Sequence, residues 1–165
     1  MPKFKDFHLT DLLYGICSYI PNSNGLHYFL ADFDNESPKE IMGRAGKILI
    51  EKYRFGHLYL IKSGKGYHIV SFSKKLTINK YIKILNEMDA DRRFTWWVKK
   101  TKYGIVRLSR RSSHMKVPKL VAVLKSPYHK WEDTFARDYY LHILRLEDKI
   151  KTVKRVKVFG RKHDS

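Results

Sequence analysis

Four stretches of this chain carry residue types whose spacing suits metal, phosphate or nucleic-acid chemistry. The first is Asp32-Phe33-Asp34, which ends an apolar run starting at His27. In a strand, side chains at i and i+2 share a face about 6.6 Å apart. The two carboxylates can therefore converge on one or two hard cations, and oxygen ligands suit Mg2+ or Mn2+. The plainer alternative is a polar turn, because Asn35 and Glu36 continue the stretch. The second is Ser63-Gly64-Lys65-Gly66-Tyr67-His68. A glycine-rich turn presents backbone amides to an anion, Ser63 and Lys65 add donors, and His68 points toward the same place from the following strand. It lacks P-loop spacing and leads into a strand, which excludes a Walker motif; an ordinary hairpin turn is the alternative.

The third stretch runs from Arg107 to Lys116 and contains Arg110, Arg111 and His114. Its cations and hydroxyls offer charge-assisted bonds to phosphates, and arginine can fork two oxygens at once. A solvated basic loop is its bland reading. The fourth, Arg92-Arg93-Phe94-Thr95-Trp96-Trp97-Val98-Lys99-Lys100, interleaves aromatic residues with cations. Trp96 can stack on a base while Arg92, Arg93, Lys99 and Lys100 track a phosphate backbone. Large aromatics dominate cores, so at least one of the two indoles is expected to be buried, and both can instead pack on the preceding helix.

Elements must bring these stretches together. His27–Phe33 reads as a strand after the turn Pro21-Asn22-Ser23-Asn24-Gly25. Ser37-Pro38-Lys39-Glu40 is a helix start with a cap, a first-turn proline and a capping-box acid, and the helix continues to about Tyr53. His57–Lys62 and Tyr67–Phe72 form a hairpin about Ser63–Gly66. Ile78, Tyr81, Ile82, Leu85 and Met88 mark a second helix, Tyr103–Ser109 and Leu120–Leu124 two more strands, and Phe135 to Ile150 a third helix. The order β-α-β-β-α-β-β-α gives an α+β fold. Its first six elements match an RRM-like split βαββαβ core, an antiparallel sheet with helices on one face and the other face free for ligands, followed by an extra strand and helix.

The 165 residues suit a single domain spanning 1–165, with about 150–165 a basic tail or an edge strand. Lys and Arg number 34 against 16 Asp and Glu, a net charge of +18 that points to a polyanionic partner. One cysteine, Cys17, excludes a disulfide framework and a thiolate zinc site within the monomer. No apolar run is long enough to cross a membrane. The N-terminus lacks a signal peptide's apolar core, so a cytoplasmic protein is expected.

The order and spacing of Asp32-x-Asp34, Ser63-Gly-Lys65-Gly-Tyr-His68 and the late basic stretch with His114 resemble the archaeo-eukaryotic primase superfamily, which includes the polymerase domains of bacterial end-joining ligases. The resemblance covers about Tyr28 to Leu124. It implies that Asp32 and Asp34 are catalytic metal ligands for Mg2+ or Mn2+, and that Ser63, Lys65, His68 and His114 bind a nucleoside triphosphate. The family's third acid is where the pattern departs. In the ligase-type register Arg107 stands in its place; in the primase-type register Arg107 contacts nucleotide and the acid lies upstream, at Asp89 or Asp91. The implied activity is a primase-polymerase-like nucleotidyltransferase in DNA replication, working on single-stranded or primer-template DNA or RNA. A helicase or accessory replication protein would be its partner, and a plasmid or virus in a host cell its source. The competing function is a catalytically silent nucleotide- or single-strand-binding module, for which Arg107 is the best support. A rolling-circle initiator, with Tyr139 or Tyr140 as nucleophile, lacks the second metal-binding histidine near His57.

Overall fold

The computed structural model describes residues 15–108 and 117–150, with side chains through Glu147. It is an α+β fold built on a four-stranded antiparallel sheet with helices on both faces. Its strands are β2 (Leu26–Phe33), β3 (Leu58–Ser63), β4 (Gly66–Thr77) and β6 (Lys119–Leu124), in the order β2-β4-β3-β6. A separate two-stranded ribbon pairs β1 (Gly15–Cys17) with β5 (Ile105–Arg107).

Side chains alternate across β2. Phe29, Ala31 and Phe33 face one core with Leu58, Leu60 and Ile69, while Tyr28 and Leu30 face a second with Tyr59, Ile61, Val70 and Phe72. Burial on both faces explains the unbroken apolar run. The first core is closed by α1 (Pro38–Ala45) and α2 (Ile78–Glu87), through Ile41, Ala45, Tyr81, Ile84 and Leu85. The Ser37 hydroxyl accepts from Glu40 N at 3.2 Å and that of Thr77 from Lys80 N at 3.3 Å, so both helices start at side-chain caps. The helix expected to reach Tyr53 is α-helical only to Ala45 and widens into a π-helical turn over Gly46–Lys52, which keeps Leu49 buried.

The structure corrects the sequence reading in several places. The sheet's second face is not left free: α4 (Thr134–Ile150) lays Tyr140 and Leu144 across it. The reason is in the strands themselves, which present an aromatic and aliphatic surface there that water would penalise. Tyr59 Oη donates to Glu132 at 2.7 Å, Tyr28 Oη donates to Asp133, and Asp133 N donates to Phe72 O at 2.8 Å, anchoring the start of α4. The expected strand Tyr103–Ser109 is shorter and pairs with β1 rather than joining the sheet beside β2. Ser18 supplies the link, donating from its N to Gly104 O at 2.8 Å and accepting from Tyr28 N at 2.9 Å. A further helix, α3 (Arg92–Thr101), occupies the stretch read as interleaved aromatics and cations. Neither indole is core: Trp96 is 52 % and Trp97 53 % exposed, and Thr95 and Val98 are buried in their stead.

Among the described residues no helix is long and apolar enough to cross a membrane.

Candidate functional site

The end of the sheet's second face where β2, β3 and β4 turn polar is not covered by α4. Asp32 lies opposite His68 in the β2–β4 pairing, and Ser63 opposite Gly66 in the β3–β4 hairpin. The hairpin loop is Gly64-Lys65, with Gly64 at φ +59, the position at which a tight two-residue turn requires positive φ. Gly66 is glycine for a steric reason: a Cβ there would lie 2.5 Å from Asp34 Oδ1 and from Phe33 O. The chain after β2 can therefore cross directly over the turn, which brings the Asp34 carboxylate against Ser63-Gly-Lys-Gly.

A cavity of about 590 Å³ opens here, lined by Asp32, Asp34, Ser63, Lys65, His68 and Arg107 together with Asn35, Gly64, Gly66, Ile105 and Val106. Six residues singled out in the sequence thus share one wall system. Asp91 stands beside the two acids without lining the cavity. Asp32, Asp34 and Asp91 each offer a carboxylate oxygen within 4.8 Å of the others, and among the described residues this is the one group of three or more potential metal ligands. Two local devices position Asp91. Its N donates to Asp32 O at 2.8 Å, tying it to β2, and its Oδ2 accepts from Phe94 N at 3.1 Å as the N-cap of α3. Of the two upstream acids, Asp91 is the one in the cluster; Asp89 is not.

The electrostatics are those of an acid cluster. Burial first, then the charges of Asp34 and Asp91, push the Asp32 carboxyl up to about 7, against a smaller opposing pull from Arg107. Asp34 is also raised, by burial and by Asp91, with Arg93 opposing. His68, 5 % exposed, is driven down to about 3 by burial and by Arg107, so its imidazole is neutral at physiological pH. Its Nε2 lies 3.6 Å from Asp32 Oδ1, beyond hydrogen-bond range and without the charge for an ion pair. Its Nδ1 is buried with no partner, the kind of polar group that native structures seldom leave unsatisfied. Arg107 Nη2 donates to Ser63 Oγ at 3.0 Å, placing a guanidinium at the hairpin.

Three carboxylates suit a hard divalent cation, and such an ion would relieve the mutual repulsion that raises Asp32 and Asp34. Lys65, Arg107 and the hairpin amides suit an anion beside it. Arg92 and Arg93 lie exposed on the first turn of α3, with Arg93 near Asp34; Trp96, Lys99 and Lys100 are exposed further along the same helix and do not line the cavity. Arg110, Arg111 and His114 lie outside the described residues. Of the two tyrosines on α4, Tyr140 is buried and Tyr139 exposed, and His57 stacks on His129 at 4.7 Å; none of the four belongs to the acidic cluster or lines the cavity beside it. Sequence reasoning overlooked Asn35 and Ile105 as wall residues. Asn35 was legible as a turn residue tolerant of φ +58; Ile105 carried no signal. No family model, no curated protein and no solved structure matches the chain.

Proposed function

We propose that this cavity is a nucleotidyl-transfer site of the primase-polymerase type, in which Asp32, Asp34 and Asp91 hold Mg2+ or Mn2+ and the β3–β4 hairpin holds the phosphates of a nucleoside triphosphate. The observation that carries the reading is the convergence of three carboxylates within 4.8 Å, two of which, Asp32 and Asp34, line the cavity that also contains Ser63, Lys65, His68 and Arg107. Asp91 supplies the third acid in the primase-type register, and in that register Arg107 is a nucleotide contact rather than a missing ligand. In the sheet, β2, β4 and β3 are ordered as in a split βαββαβ arrangement, while β5 pairs with β1 in a separate ribbon that Ser18 links to Tyr28 of β2.

Bound divalent cations supply Lewis acidity, lowering the pKa of an attacking hydroxyl and neutralising charge on the phosphates. The chain's own groups do the rest. Lys65 and the loop amides of Gly64 and Lys65 grip phosphate oxygens, and Arg107, oriented by Ser63, adds a forked donor. Neutral His68 donates a hydrogen bond to the nucleotide without adding positive charge near the cations. On this reading the protein acts in DNA replication on a nucleic-acid template and works with a helicase or accessory replication protein.

A second reading, a nucleotide-binding module without turnover, is favoured by Arg107, whose positive charge stands in the cavity close enough to act on Asp32. Templated incorporation of labelled nucleotides in Mn2+ separates the two. The transferase reading expects incorporation that Asp32→Asn, Asp34→Asn and Asp91→Asn each abolish. Incorporation that survives all three overturns the site, and metal-dependent nucleotide binding without incorporation supports the second reading.

A further inference from the structure

The nucleotide reading leaves the far end of α3 without a role, yet that end carries two exposed indoles. Trp96 and Trp97 stand half exposed in an edge-to-face pair with centroids 5.1 Å apart. Lys102 ends the helix in the left-handed conformation at φ 69, its N–H returning to Val98 O. The Thr101 hydroxyl lies 2.7 Å from Trp97 O and 2.9 Å from Tyr103 O, pinning the turn. The chain is thereby folded back so that exposed Tyr103 and Ile105 face the helix end. Between them is a slot of about 270 Å³ lined by Phe94, Trp97, Val98, Thr101, Tyr103 and Ile105.

Three features of the slot identify its occupant. It falls below the size range of about 300–1,000 Å³ typical of whole small-molecule ligands, and its aromatic walls suit one planar ring. The helix that carries it is basic: Arg92, Arg93, Lys99, Lys100 and Lys102 are exposed on or beside α3, which has no acid from Arg92 to Thr101. Lys100 Nζ sits 4.8 Å from the Trp96 ring centroid and 5.7 Å from that of Trp97, so an ammonium stands beside the aromatic faces. Finally, Ile105 is a wall of both the slot and the acidic cavity, which makes the two neighbours.

We infer that this slot receives an unpaired base of a single-stranded nucleic acid, stacked against Trp97 and Tyr103, while the lysines of α3 follow its phosphates. A duplex cannot use it, because paired bases do not offer their faces. An apolar protein segment would gain the same aromatic contacts but would leave the positive charge of α3 uncompensated. As a template-positioning site the inference rests on the nucleotidyl-transfer reading; as a single-strand site it stands without it.

The test is fluorescence anisotropy of a labelled oligo(dT) strand and of a blunt duplex of equal length with the full chain in EDTA, where the metal site plays no part. Trp97→Ala and Tyr103→Ala should each weaken single-strand binding by roughly 5- to 150-fold, the range for loss of a stacked base. Each should leave duplex binding unchanged, and Trp97→Phe should recover most of the loss. Trp131→Ala, which removes an exposed indole from another element, should have no effect. The inference is overturned if the two slot variants, folded by circular dichroism, bind the single strand within twofold of the parent. It is equally overturned if they lose single strand and duplex alike, or if they abolish self-association while binding DNA normally. Absence of templated incorporation by the parent protein, with slot-dependent strand binding intact, would sink the transferase reading and leave this one standing.

Discussion

Replacing Asp32 by asparagine should make the metal-free protein more stable, an outcome that an ordinary structural aspartate would not give. The Asp32 carboxyl is raised from 3.8 to about 7 by burial and by Asp34 and Asp91. An acid whose folded-state pKa is raised holds its proton in the native state where the unfolded chain has released it, so stability falls as pH rises from about 4 to 7. Above 7 the native state carries the full penalty. At about 1.36 kcal/mol per pH unit the displacement corresponds to about 4 kcal/mol. Solvent screening at a side chain 30 % exposed reduces the expected effect to about 2 kcal/mol. For a chain of this size that is roughly a 4–8 °C rise in Tm. The assay is thermal unfolding in EDTA from pH 4 to 8.5: Asp32→Asn should exceed the parent at pH 8 and converge with it toward pH 4. Mn2+ should stabilise the parent at pH 8, by about 2.7 kcal/mol at a hundredfold excess over Kd, and should stabilise Asp32→Asn far less. A variant that is less stable than the parent at pH 8 in EDTA would refute the idea that these carboxylates repel one another in the fold.

Gly66→Ala places a methyl group 2.5 Å from Phe33 O and Asp34 Oδ1; it should cost about 1–3 kcal/mol in denaturant unfolding and weaken Mn2+ binding by titration calorimetry. Asp91 has two roles that substitution separates: Asp91→Asn keeps a good cap for α3 and should preserve stability, Asp91→Ala should lose about 1 kcal/mol, and both should lose Mn2+ affinity. Tyr81→Phe removes the buried hydroxyl that donates to Leu30 O at 2.5 Å, and should destabilise by about 1–3 kcal/mol in chemical denaturation. Single-strand binding should fall steeply with salt, and Lys99→Ala with Lys100→Ala should each reduce the slope of log K against log salt by about 0.7.

The parts of the fold legible in the sequence are those in which one physical signal dominates. Ser37-Pro38 and the spacing of Tyr81 and Leu85 give α1 and α2, and the glycines about Lys65 give the hairpin. Helix α3 was hidden because its exposed positions carry the indoles. With Trp96 and Trp97 outside and Thr95 and Val98 inside, the largest apolar residues contradict the periodicity. A usable clue was present in Asp91, an N-cap residue followed by ten residues free of glycine and proline. Strand β1 carried no comparable signal: three residues pair with β5 only because Gly15 leaves room for the Val106 backbone, and such a contact is long-range by nature.

The site was more legible than the topology around it, and the cause lies in the sheet's second face. Along β2 that face reads Tyr28, Leu30, Asp32; along β4 it reads Phe72, Val70, His68; along β3 it reads Tyr59, Ile61, Ser63. Each strand changes from apolar to polar at the same end. Period-two alternation fixes which residues share the face, and the hairpin register fixes which end they share, so the co-location of Asp32, Ser63 and His68 follows from local pattern alone. The coverage by α4 follows from it too: the helix packs where the face is apolar and stops contributing where it is not, which leaves the polar end open as a cavity. What local pattern cannot supply is the third carboxylate, because Asp91 reaches the cluster from a helix cap through its hydrogen bond to Asp32 O.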